Sequence, residues 1–125
     1  MSSKNKKQFG IWMDSQHAIV VGRTNDENDE FTVLGHAKNG ASSGNSNEHA
    51  ANNQEITETH KFFKQINGFM QNVDEIHVTG TGQIQEHYIK YLAETPQYKN
   101  VSAKESTSNK MSDEKLIEFI SEKFN

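Results

Sequence analysis

The residue types in this sequence that invite chemistry are six histidines, an aspartate closing an apolar run, a glycine-bearing turn and one long polar stretch. His17, His36, His49, His60, His77 and His87 make no HxH pair, no i,i+4 helical pair and no HExxH motif, so their spacing does not build a zinc site. Ser15 beside His17 is the candidate hydrolytic pairing, but both fall in one short turn that implies no oxyanion geometry. The turn TGTGQ, from Thr79 to Gln83, carries glycines that let backbone N–H groups approach an anion at a helix N-terminus. It matches neither the dinucleotide fingerprint nor a P-loop with its lysine, and a tight strand-to-helix turn uses glycines anyway. Asp14 could supply the first carboxylate of a two-metal nuclease, with Glu58 and Asp113 recruited to it. That chemistry needs several converging acids, and Thr79, Gly80 and Thr81 supply none, so Asp14 reads as the opening of a turn. No cofactor or metal is expected.

The polar stretch runs from His36 to Asn53, HAKNGASSGNSNEHAANN, and holds nothing more apolar than alanine. Such a run buries too little apolar surface to offset its ordering entropy, and a loop of this length within a domain is usually functional, disordered or a linker. Its chemistry suits RNA. Gly40, Ser42, Ser43 and Gly44 allow close backbone approach, Asn39 and Asn45 offer amides to base edges or sugars, and His36, Lys38 and His49 supply phosphate attraction. Arg23, Lys61 and Lys64 are the basic residues expected nearby. With a net charge of -4 the whole surface does not attract nucleic acid, so contact must come from local patches. Lys4, Lys6 and Lys7 make residues 1–8 a basic, flexible tail.

The elements that must position this loop follow from periodicity. FGIWM and AIVV, separated by DSQH, read as a hairpin; the run from Phe31 to Leu34, after the turn-forming NDENDE, adds a third antiparallel strand. Beyond the loop, Ile56, Phe63, Ile66, Met70 and Val73 share a helical face, with Asn52 and Glu55 as a capping box and Gly68 inside, for which close packing on the sheet is a reason. A strand, EIHVTG, leads through an N-cap at Thr81 to a helix with Ile84, Tyr88, Tyr91 and Leu92 on one face. His77 is expected to point outward or to be hydrogen-bonded between sheet and helix. Pro96 ends that helix, Val101 to Lys104 forms a final edge strand, and a last helix starts at Ser112 and buries Leu116, Ile117, Ile120 and Phe124. The order is βββαβαβα. Right-handed crossovers then place the fourth strand parallel to the first or near it, in a mixed five-stranded sheet with helices on both faces, a ribonuclease-H-like α/β arrangement. Strands one, three and four all finish at one edge, which brings together Asp14, the loop and the Thr79–Gly82 turn.

The 125 residues amount to one domain, spanning 9–125. Absence of cysteine excludes disulfides and thiolate metal sites, and no apolar run approaches the roughly 18 residues that span a bilayer. A monomeric cytoplasmic protein without a membrane partner is expected.

From Val73 onward the sequence resembles the second half of the middle domain of archaeal and eukaryotic class-1 release factors and Pelota. The opening GIWMDSQHAIVVG is similar to bacterial single-chain relatives of the translational-machinery and Balon-like hibernation type. The resemblance covers about Phe9 to Phe124, leaves that family's flanking domains unmatched, and implies a ribonuclease-H-like fold. In release factors the connection from the third strand to the first helix carries a Gly-Gly-Gln tripeptide that enters the peptidyl transferase centre. Here it reads NGASSGN, so peptide release is not implied; Pelota and its bacterial relatives also lack the tripeptide and bind ribosomes without hydrolysing peptidyl-tRNA. The expectation is a non-catalytic, ribosome-associated factor of hibernation or rescue type that meets rRNA through this loop, with the ribosome and a second ribosome-bound protein as partners. A degenerate metal-dependent nuclease and a plain protein-interaction domain are the alternatives.

Overall fold

Near-continuous apolar runs over Gln8–Met13 and His17–Arg23, buried on both faces, pair as an antiparallel hairpin, β1 and β2, closed by the turn at Asp14. The computed structural model describes residues 7–23, 31–39, 59–70 and 73–124. The third strand, β3 (Thr32–Lys38), pairs antiparallel with β2 and carries a register shift opposite Val20/Val21. Helix α1 covers residues 59–68. Then come β4 (Glu75–Gly80), α2 (Gln83–Glu94), a single 3-10 turn (Pro96–Tyr98), β5 (Ser102–Thr107) and α3 (Asp113–Phe124).

The sheet order is β3-β2-β1-β4-β5, with β4 parallel to both β1 and β5, as the crossover argument required. β5 is an edge strand, as its polar sequence suggests, and β3 forms the other edge. Side chains of odd and even register leave the sheet on opposite sides. Phe9, Ile11, Met13, Val20, Ile76 and Val78 meet Phe62, Phe63 and Ile66 of α1 and Tyr88 and Leu92 of α2. Trp12, Ile19 and Val21 meet Leu116 and Ile120 of α3 on the other face. Among the described residues, the first cluster holds fifteen buried apolar side chains and the second six. At roughly 1.5–3 kcal/mol for each large side chain removed from water, the α1/α2 face carries most of the hydrophobic stabilisation.

Close packing explains two glycines. A Cβ at Gly80 would lie 1.9 Å from the Met13 carbonyl oxygen, and one at Gly35 would enter the Phe69 ring. Gly68, by contrast, meets nothing within 4 Å, so packing against the sheet is not its reason. The helix it was expected to sit inside stops there: Phe69 and Met70 donate to Ile66 and Asn67 in turn geometry, and Met70 reaches the core from outside the helix. The Asn52–Glu55 box and Ile56 lie outside the described residues. At α2 the N-cap is Gly82 and not Thr81, its N–H taken by the buried Gln85 side chain at 3.1 Å. Ser112 caps α3 as expected, its Oγ accepting from the Lys115 N–H at 3.3 Å. Among the described residues no helix is long and apolar enough to cross a membrane.

Candidate functional site

Because β1, β3, β4 and β5 run the same way, their C-terminal ends share one edge of the sheet. At that edge Asp14 Oδ1 accepts the backbone N–H groups of Gln16 and His17, at 2.8 and 2.6 Å. The carboxylate therefore holds the β1–β2 turn. Ser15 and His17 lie in the same turn, with His17 Nδ1 3.8 Å from Asp14 Oδ1. Among the described residues no three of His, Cys, Asp and Glu converge on one point; Glu58 lies outside them.

The third strand is longer than its sequence suggests. It continues to Lys38, so His36 and Lys38 are strand residues and the loop does not begin at His36. Pairing with β2 extends it: Ile19 opposes His36, and His17 opposes Lys38. On the outer side, Gln65 of α1 does what a sixth strand would do, its amide donating to the Lys38 carbonyl at 3.1 Å and accepting the Lys38 N–H at 3.5 Å. His36 points to the α3 face, where its Nε2 lies 3.2 Å from both Asp113 carboxylate oxygens. Both side chains are about half exposed, so the pair is a weak tie between β3 and α3.

Asn39 is buried, not displayed. Its N–H donates to the Gln16 carbonyl at 2.8 Å, and its amide donates to the Ser15 carbonyl at 3.0 Å and to Thr59 Oγ1 at 3.4 Å. Residues 39 and 59, which flank residues 40–58, are thereby bonded to each other and to the β1–β2 turn. Gly40, Ser42, Ser43, Gly44, Asn45 and His49 lie outside the described residues. Lys61 and Lys64 are exposed on α1, within the first two turns after this junction.

Arg23 does not belong to this edge. β2 runs back across the sheet, so Arg23 pairs with Gln8 at the opposite rim, six residues from His17 and about 20 Å away at ~3.3 Å per strand residue. Its guanidinium donates to Gln8 Oε1 and lies 4.6 Å from the Phe31 ring centroid.

In the TGTGQ turn Gly80 is required by its close approach to Met13, and the Gly82 N–H is already taken by the Gln85 side chain. Behind it runs a polar ladder that sequence reading missed. His77 Nε2 bonds Ser106 Oγ at 2.9 Å, Ser106 donates to Thr79 Oγ1 at 2.9 Å, and Thr79 meets Ser108 Oγ at 2.7 Å. The alternation Ser102, Lys104, Ser106 on β5 was the available signal.

No protein-family model matches this sequence. No curated protein matches it either. Solved structures do share its fold. The Thermoplasma acidophilum Pelota protein is 16% identical with a TM-score of 0.53, over 92% of this chain and 32% of that one. Archaeoglobus fulgidus Pelota is 12% identical with a TM-score of 0.60, over 98% of this chain and 33% of that one. An archaeal translation termination factor is 11% identical with a TM-score of 0.60, over 95% of this chain and 35% of that one. The chain thus spans about a third of the length of each, and what it has in common with Pelota and the termination factor is the fold of one of their parts.

Proposed function

We propose that this chain is a non-catalytic, cytoplasmic, ribosome-associated translation factor of the hibernation or rescue kind, and that it meets rRNA at the edge where its parallel strands end. The observation that carries the reading is the junction of Asn39 and Thr59. It holds together residues 39 and 59, which flank the glycine-, serine- and asparagine-rich residues 40–58 in sequence, at that edge near Lys38, Lys61 and Lys64. Those lysines supply sequence-independent phosphate attraction, and the segment's amides and backbone supply close contacts. The fold shared with Pelota and a translation termination factor agrees with this role. The absence of Gly-Gly-Gln between β3 and α1 argues against peptide release. Arg23, at the other rim, is not part of this surface.

Ordering a polar segment on binding opposes affinity, so a second ribosome-bound protein would strengthen attachment of a monomer. The test is co-sedimentation with purified ribosomes. Replacing residues 40–58 by a four-residue turn should weaken the ribosome affinity at least about tenfold while the melting temperature stays within a few degrees, since each 1.4 kcal/mol of lost contact is tenfold in affinity. Unchanged sedimentation of the folded variant would remove the segment from the account.

A further inference from the structure

The face of the sheet beneath α3 is only partly covered. α3 packs on β1, β2 and β3, and beyond it β4 and β5 present polar side chains at the rim where the strands begin. There an open cleft of about 340 Å³ is lined by Glu75, His77, Ser102, Lys104 and Lys123, with Phe124 along one side. That size lies near the lower end of the ~300–1,000 Å³ typical of small-molecule sites.

The charges in the cleft are arranged asymmetrically. Glu75, on the β4 side, accepts a hydrogen bond from Gln8 Nε2 at 2.6 Å, and Gln8 in turn accepts from Arg23, so the carboxylate is anchored toward β1. Lys104 of β5 and Lys123 of α3 face His77 from the other side, and among the described residues neither forms an ion pair with a carboxylate. Lys123 rests 5.1 Å from the Phe119 ring centroid. His77 is 7% exposed. Its Nε2 must donate to Ser106, because the single Ser106 proton goes to Thr79. The other nitrogen, Nδ1, has no hydrogen-bond partner among the described residues and is not sealed from solvent, which leaves it as the ring atom available to the cleft.

We propose that this cleft is a phosphate-binding site: Lys104 and Lys123 take the anionic oxygens, and His77 Nδ1 completes the cradle, as acceptor from a monoester hydroxyl while the ring is neutral or as N–H donor once the ring has taken a second proton from solvent. Two ammonium groups without carboxylate partners beside a largely buried imidazole repel one another, and a phosphoryl group relieves that repulsion while making charge-assisted hydrogen bonds. The phosphate can belong to a small phosphate ester or to a nucleic-acid backbone. The site lies at the rim opposite the Asn39–Thr59 junction and stands or falls independently of the ribosomal reading.

Two-dimensional NMR of the full chain tests it, with adenosine monophosphate and a six-nucleotide RNA lacking a terminal phosphate as probes. Expected are saturable shifts of the His77 ring and the Lys104 and Lys123 amides with at least one probe. Response to the monophosphate alone identifies a small ester; response to the RNA identifies backbone phosphate. The Lys104→Gln/Lys123→Gln pair, exposed and outside both cores, should weaken binding about tenfold or more with the fold unchanged, since hydrogen bonds to charged groups are the stronger class. Absence of saturable shifts with both probes at millimolar concentration, or shifts indifferent to the double substitution, would overturn the proposal.

Discussion

The two faces of the sheet are built differently. Under α1 and α2, among the described residues, fifteen buried apolar side chains form one cluster, in which the Tyr88 hydroxyl donates to Asn67 Oδ1 at 2.5 Å, and the buried Gln85 of α2 spends its amide on the Gly82 N–H and the Ser106 carbonyl. Burial, followed by the neighbouring Tyr98 and Tyr91, raises the Tyr88 pKa well above its ordinary 10.0, so it stays a neutral donor. Under α3 the apolar cluster is small and gives way across β4 and β5 to the ladder of His77, Ser106, Thr79 and Ser108. One face is a core and the other is half core, half polar surface. Both proposed binding surfaces lie away from the two-helix face, whose buried polar groups, Tyr88 and Gln85, are already hydrogen-bonded within the protein.

The largest effect that sharpens this contrast is expected from Phe63→Ala. Phe63 contacts the rings of Tyr88 and Tyr91, both at 5.2 Å between centroids, and is 2% exposed. Its truncation should cost about 3–5 kcal/mol in denaturant unfolding, the usual range for a buried phenylalanine. A loss below about 1 kcal/mol would mean that the two-helix face does not dominate stability.

A smaller, pH-dependent effect belongs to the polar face. Burial first, then the positive charges of Lys123 and Lys104, lowers the His77 pKa from the usual 6.5. The unfolded chain takes up the proton at about its ordinary pKa while the native chain resists, so the unfolded state binds more protons in the interval below 6.5. Stability is therefore complete above that value and falls as pH drops through the interval. His77→Gln, which keeps a donor for Ser106, should flatten the melting temperature across the same range. An equally steep decline in the variant would assign the acid sensitivity to other groups.

Much of this arrangement was legible in the sequence. The change from period-two to helical spacing after residue 53 set the order of elements, and right-handed crossover placed β4 beside β1. The limits of β3 were not legible, because GHAK has little strand preference of its own and is held by two distant partners, β2 and Gln65. Gln85, fully buried, was missed for the same reason: its partners are the Gly82 N–H and the Ser106 carbonyl, and the latter lies 21 residues away. Arg23 was placed at the wrong rim although the direction of a hairpin's second strand determines it.

The central claim is that the edge holding the Asn39–Thr59 junction faces the ribosome. Photo-reactive residues placed singly at Lys38, Lys64 and Glu94 test it most directly. The first two lie at or near that edge, and Glu94 is exposed at the far end of α2. After irradiation with ribosomes, rRNA should be labelled from positions 38 and 64 and not from 94. Labelling from 94 alone would contradict the account.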